Sequence, residues 1–252
     1  MIELKSSREI QLIGEAGKII QKVFKSIKPA VKDGITTIEI DRIAEKVIRE
    51  SGAKASFKGY RGFPATVCAS INEEVVHGIP GSRQLKNGDI ISIDVGVKWD
   101  GFHADAARTF EVGGVDAARK KLIEAAKDSF DAGLAGYQEG WRIGDLSETI
   151  QKLIESRGFQ VVRDYAGHGV GRELHEDPQV PNYGKGGRGA KIEPGLVIAI
   201  EPMVTAGNYA VETLENGWTV VTRDRKCSSH YEDTVAFTEN GFINLTREEA
   251  TT

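Results

Sequence analysis

The sequence repeats itself at an almost constant offset, and this limits the architectures open to it. Adding 106 to a residue number carries Phe24 onto Phe130, Gly34 onto Gly140, Ile48 onto Ile154 and Gly52 onto Gly158. Adding 107 carries Gly88 onto Gly195, Ile91 onto Ile198, Ile93 onto Ile200 and Asp94 onto Glu201. Further on, HADAARTF at 103–110 resembles HYEDTVAF at 230–237, which pairs Asp105 with Glu232. Helix-helix-strand units look alike for generic reasons, so the helices alone would prove little. The matched acids weigh more, because an isolated carboxylate in an apolar strand is uncommon. The expectation is one α+β domain over residues 1–252, with two similar halves (about 1–112 and 113–252) around a shared site.

Local signals supply the elements. Ser6 and Ser7 can cap a helix carrying Ile10, Ile13, Ala16, Ile20, Val23, Phe24 and Ile27 at helical spacing, ended by Pro29 and Gly34. Thr36 with Glu39 forms a capping box for a second helix closed by Gly52. Strands are expected near 64–71, 89–98 and 102–111, the last two joined by the hairpin signal Asp100-Gly101. In the second half, helices are expected over 115–138 and 144–157, followed by strand-rich sequence with an Asn216-Gly217 hairpin.

Bulk properties exclude several functions. With a net charge of -4 there is no electrostatic drive toward nucleic acid or anionic membranes. Two cysteines cannot build a disulfide framework, the N-terminus is too polar for a signal peptide, and no apolar run approaches a membrane span. A cytoplasmic protein is expected.

The acids then require an explanation. Asp94 lies in the run IISIDVGV, otherwise a strand bound for the interior. A buried carboxylate without partners costs several kcal/mol or takes up a proton. If Asp100-Gly101 is a two-residue turn, Asp94 faces Ala107, and Asp105 lies two residues from that partner. The two carboxylates then share a face as diagonal neighbours, roughly 7–8 Å apart at the backbone. The second half adds Glu201, after the apolar run GLVIAI, and Glu232. Lys or Arg could neutralise any one of them, but none of these strands brings a cation beside its acid at the facing parity. Two divalent ions would balance four negative charges.

Histidines complete the set. His168, between Gly167 and Gly169, reads as an imidazole exposed on a sharp turn, with His175 seven residues later. His77, in NEEVVHGIP, is a third candidate, although a turn residue before Gly78 fits as well. Four carboxylates and one imidazole favour hard or borderline divalent metals and suit a two-metal hydrolase.

The ordered set Asp94, Asp105, His168, Glu201 and Glu232 resembles the dinuclear site of the methionine aminopeptidases, which have the duplicated pita-bread fold. NEEVVHGIP, IDVGVKWDGFHADAARTF, GHGVGRELHEDPQVPNYG and AIEPM carry the resemblance over nearly the whole chain, in the short bacterial type I form. It implies that Asp105 and Glu232 bridge two ions (Co, Mn, Fe or Zn), that Asp94 completes one shell, and that His168 and Glu201 complete the other. It implies His77, His175 and Glu201 as catalytic residues, with Glu201 the proton carrier for a metal-activated water. His77 and His175 would also contact substrate, in a methionine pocket of Phe57, Tyr60, Phe63, Cys68, Leu174 and Trp218, whose aromatic and sulfur-bearing walls suit a thioether. The implied substrates are N-terminal methionines of nascent polypeptides with a small second residue. A monomer is implied, with transient ribosome contact as a further partner interaction.

Two positions depart from the commonest family pattern. Asp233 stands where His or Asn is frequent and is expected to add negative charge beside the metals, and Leu174 stands where Phe is common. His230 shares strand parity with Glu232 and is expected to face the site from behind the ligands. Rival readings are a proline-directed relative, such as aminopeptidase P or prolidase, and a non-catalytic binding protein on the same fold. The basic, glycine-rich YGKGGRGAK at 183–191 lacks the Walker spacing and reads as a mobile surface loop. Cys68 lacks an activating base and reads as a pocket wall.

Overall fold

The computed structural model describes residues 2–247. Helix α1 (Ser7–Ile27) starts at Ser6, whose side chain and that of Glu9 cap one another's backbone amides. Helix α2 (Thr37–Glu50) opens on the same reciprocal device, Thr36 with Glu39. Helices α3 (Ala117–Ala135) and α4 (Ile143–Ser156) form the second pair and pack on one another as α1 and α2 do. All four expected helices are present, α3 being shorter at both ends than its apolar pattern suggests.

One sheet crosses both halves. Its central strands are β1 (Val67–Ile71), β2 (Ile90–Trp99), β3 (Phe102–Glu111), β4 (Gly167–Gly169), β5 (Val197–Ile200) and β6 (Glu232–Thr238). They lie in the order β1-β2-β3-β6-β5-β4, so the halves meet where β3 pairs with β6. Outward from that seam each half contributes two more strands, ten and five residues long in the first half and four and three in the second.

The Asp100-Gly101 turn sets the hairpin register, pairing Trp99 with Phe102 and Asp94 with Ala107. The Asn216-Gly217 signal also lies in a hairpin, between strands Val211–Thr213 and Val220–Thr222.

The helix pairs cover one side of the sheet with separate apolar clusters. Ile13, Ile20, Val23, Ile40 and Ile48 pack with Ile91, Ile93 and Val97 in the first. Leu122, Phe130, Leu146, Ile150 and Ile154 pack with Ile198, Ile200, Val235 and Phe237 in the second. With this side filled, polar side chains on the other are free to converge. The N-terminal segment is tied in as well: the Lys5 amide donates to the Gly195 carbonyl at 2.6 Å, and buried Lys5 Nζ pairs with Glu176 Oε2 at 2.6 Å. Among the described residues no helix is long and apolar enough to cross a membrane.

Candidate metal centre

The β2-β3 hairpin places the first two acids. Asp94 lies opposite Ala107 and Asp105 opposite Gly96, so both carboxylates leave the same face of the ribbon. Strand β6 brings Glu232 opposite Ala107, on that face again. Thr234 fixes the crossing, because its hydroxyl accepts from the Asp105 amide at 2.9 Å and donates to the Asp105 carbonyl at 2.8 Å. Glu201 follows β5 directly, where Pro202 ends the strand, and Asn182 Nδ2 donates to its carbonyl at 2.9 Å.

His168 differs from expectation in its setting. It is buried within β4 rather than exposed on a turn. Its flanking glycines permit close strand approach: a Cβ on Gly167 would lie 2.3 Å from the Ala199 carbonyl oxygen, and one on Gly169 would lie 2.2 Å from that of Asp177. The imidazole Nδ1 lies 2.9 Å from the Gly169 carbonyl, which can only accept. Nδ1 therefore carries the proton, and the Nε2 lone pair is left facing Glu201, whose Oε1 is 3.6 Å away. His230 Nε2 approaches from the other side, 3.7 Å from both Glu201 Oε2 and Glu232 Oε2.

These groups are poorly satisfied as they stand. Asp94 Oδ1, Asp105 Oδ1 and His230 Nε2 are buried without a hydrogen-bond partner. Burial pushes the Asp94 carboxyl up to about 7. Burial and then the charges of neighbouring acids hold Asp105, Glu201 and Glu232 well above the ordinary carboxylate range. Burial also pushes His168 down to about 4 and His230 down to about 3, so both imidazoles are neutral and able to donate a lone pair. Orphaned acceptors crowded around neutral imidazoles are the donor set of a hard or borderline divalent cation. Two groups have ligand atoms within 4.8 Å of one another: Asp94, His230 and Glu232, and Asp105, His168 and Glu232. The residues fit a divalent metal centre.

Beside the acids lies a cavity of about 160 Å³. Phe57, Tyr60, Phe63, Cys68, Leu174 and Trp218 form its walls, and His77 and His175 line it with the five acid and imidazole residues singled out from the sequence. Phe63 and Trp218 pack edge to face at 5.1 Å. His175 Nδ1 is 2.9 Å from the Tyr60 hydroxyl, and its ring lies tilted at 52° against that of His168, the centroids 4.1 Å apart. His77 adopts φ 60°, a left-handed conformation rare for a side-chain-bearing residue, and its ring meets Tyr165 edge to face at 5.6 Å. Gly78 beside it is sterically required, since a Cβ there would lie 2.3 Å from the Ala69 carbonyl oxygen. Burial, with the charges of Asp94, Asp105 and Glu232 added, pushes the Cys68 thiol up, which makes it a wall and a poor nucleophile.

Asp233 corrects an expectation. Its carboxylate does not stand beside the acids but on the opposite sheet face, as its position next to Glu232 along a strand demands. There Arg108 Nη2 reaches Oδ1 at 2.5 Å and Thr246 donates to Oδ1 at 2.7 Å. Asn244 at 2.9 Å, Tyr231 at 3.1 Å and Arg247 Nε at 3.3 Å reach Oδ2. Its charge is the smallest of the named influences on Glu232.

Arg61, which also lines the cavity, Tyr165 against His77, and Asn182 behind Glu201 carried no sequence signal that singled them out. In the glycine-rich 183–191 segment two of the glycine amides are already engaged. The Gly184 amide donates to Gln151 Oε1 at 3.0 Å and the Gly187 amide to Asp145 Oδ1 at 2.8 Å.

The acids, the imidazoles and the two-half sheet define a metal-dependent peptidase of the pita-bread type, and the model of Metallopeptidase family M24 matches residues 11–239. Methionine aminopeptidase of Clostridium perfringens is 54% identical over 96% of this chain and 97% of that protein. Methionine aminopeptidase 1 of Bacillus subtilis is 51% identical over 98% of this chain and all of that one. The chain belongs to family M24 and, within it, to the methionine aminopeptidases. The crystal structure of methionine aminopeptidase from Thermotoga maritima superposes with a TM-score of 0.96 at 42% identity, covering 98% of this chain and 100% of that one. A prolidase from Pyrococcus furiosus shares the fold at 23% identity and a TM-score of 0.76, but this chain spans only 66% of it.

Proposed function

We propose that this chain removes the N-terminal methionine from nascent proteins and peptides whose second residue is small, acting as a cytoplasmic monomer. One observation carries the reading: a closely spaced cluster of acids, Asp105 and Glu232 buried and Asp94 and Glu201 half-buried, opens onto a cavity walled by aromatics, Leu174 and Cys68. At about 160 Å³ the cavity is on the scale of one that admits a benzene ring, about 150 Å³, and so takes a single side chain. Its walls suit a polarizable thioether.

Asp94, Asp105, His168, Glu201 and Glu232 would hold two divalent ions, drawn from Co, Mn, Fe and Zn. When bound, such ions supply an activated water and polarise the scissile carbonyl. The chain's own groups do the rest. Glu201, whose carboxyl is pushed up by burial and then by the charge of Asp94, is suited to take a proton from water and pass it to the leaving amine. Burial pushes His175 down to about 3, so the ring is neutral at physiological pH. In the tautomer in which Nδ1 accepts from the Tyr60 hydroxyl, 2.9 Å away, the Nε2-H is available to the developing oxyanion. His77, locked by its backbone and by Tyr165, positions the scissile amide. A peptide's free α-amine would also coordinate a bound ion, which would confine cleavage to the first residue.

Metal-loaded protein should cleave Met-Ala-Ser and leave an X-Pro dipeptide intact. Cleavage of the X-Pro substrate instead would move the chain to the proline-directed class. Full turnover by Glu201→Ala or His77→Ala on a Met-Gly-Met peptide would overturn those roles.

A further inference from the structure

We infer that His230 is a nitrogen ligand of the metal centre, so that each of its two ends holds one imidazole. The inference rests on the metallopeptidase reading above and adds a residue to it. The two ligand groups in the structure share Glu232 and otherwise mirror one another: Asp105 with His168 on one side, Asp94 with His230 on the other.

The distances favour ligation over a role behind the ligands. An imidazole orienting a carboxylate would hydrogen-bond to it at about 2.7–3.2 Å. His230 Nε2 instead stands 3.7 Å from two carboxylate oxygens, one on Glu201 and one on Glu232, and is buried with no hydrogen-bond partner. Two atoms bound to one ion at about 2.0–2.2 Å lie roughly 2.8 Å apart at right angles and about 3.8 Å apart at 120°. The 3.7 Å to Glu232 falls inside that interval, and Asp94, His230 and Glu232 offer ligand atoms within 4.8 Å of one another, so one ion could touch those three groups.

The position is also firmly held. The His230 amide donates to Thr109 Oγ1 at 3.0 Å, and Thr109 donates back to the His230 carbonyl at 2.9 Å. Ser92 Oγ accepts from the same amide at 3.3 Å. Ser92 and Thr109 belong to the hairpin that carries Asp94 and Asp105, so ring and carboxylates are set by one element. A second imidazole would shift metal preference from Mn toward Co, Fe or Zn, because imidazole suits the latter and carboxylate suits Mn.

The test uses metal-stripped full-length protein loaded with Co²⁺ and read by proton NMR. A histidine bound through Nε2 gives a strongly shifted, solvent-exchangeable Nδ1-H signal. Two such signals are expected in the unaltered protein, and one in His230→Gln. A single signal in the unaltered protein overturns the inference, whether or not the variant folds. So does an unchanged pair of signals in the folded variant. Calorimetry should show the ratio of Co²⁺ to Mn²⁺ affinity at one site falling in His230→Gln, and an unchanged ratio would count against ligation. Failure of the unaltered protein to bind Co²⁺ at all would instead defeat the metallopeptidase reading itself.

Discussion

Glu232 and Asp233 are neighbours in sequence, both buried, and differ in almost everything around them. Asp233, on the helix side of the sheet, has each oxygen paired with Arg108, Arg247, Tyr231, Asn244 or Thr246. Glu232, one residue earlier on the other face, looks onto Asp94, Asp105, Glu201 and a neutral His230, and burial followed by the charges of those acids raises its affinity for a proton. The first arrangement completes a fold. The second is complete only with a cation, and the contrast separates structural from functional acids without reference to any relative.

The largest effect should come from the unpaired side. Asp105→Asn keeps the shape and removes a charge, so metal-dependent turnover should drop on the order of 10³-fold, the loss of several kcal/mol of electrostatic stabilisation. The same variant, stripped of metal, should melt no lower than the parent, since a repulsive charge has gone. A large fall in melting temperature would show that Asp105 is structural.

Asp233→Ala should behave in the opposite way. Removing the hub leaves Arg108 and Arg247 beside a buried void, and denaturant titration should show a loss of about 3 kcal/mol, the lower end for breaking a buried ion pair. If the folded variant under native conditions still turns over substrate, the two faces are separable. A purely catalytic defect at unchanged stability would dissolve the contrast.

Titration gives a smaller and directional test. In metal-free protein the folded pKa of Asp94 is about 7, above its ordinary value of 3.8. The folded state therefore holds a proton that the unfolded chain releases, and stability falls as pH rises from about 4 to about 7. Melting temperature measured across that range should decline, and added Co²⁺ or Mn²⁺ should remove the decline, because the ion replaces the proton. The mildest change is Leu174→Phe. It enlarges a wall residue of the cavity, well away from Asp233, and should alter KM for Met-Ala-Ser a few-fold with melting temperature nearly unchanged.

What was legible in the sequence depended on range. Asp94 and Asp105 could be placed together because a two-residue turn fixes register over a few residues, and the observed pairing of Asp94 with Ala107 follows from it. Glu201 and Glu232 were legible through the internal repeat, which carries geometry from one half to the other. The Asp233 pairing was not, since Arg108 lies 125 residues away and no period links the two. The glycines around His168 serve close strand approach rather than the sharp turn their spacing suggests. Turn and close approach leave the same residue in the sequence, and only the neighbouring carbonyls of Ala199 and Asp177 distinguish them.

The bond from Lys5 to Glu176, spanning 171 positions, gives the start of the chain influence over the cavity rim, because Glu176 adjoins His175. Glu176 also accepts from the Glu173 amide at 3.1 Å, bracing the stretch that presents Leu174 and His175. Fusion partners, purification handles or proteolytic trimming that disturb the first handful of residues would thus be felt as altered substrate handling, and a kinetic comparison of differently tagged preparations would need to control for that latch.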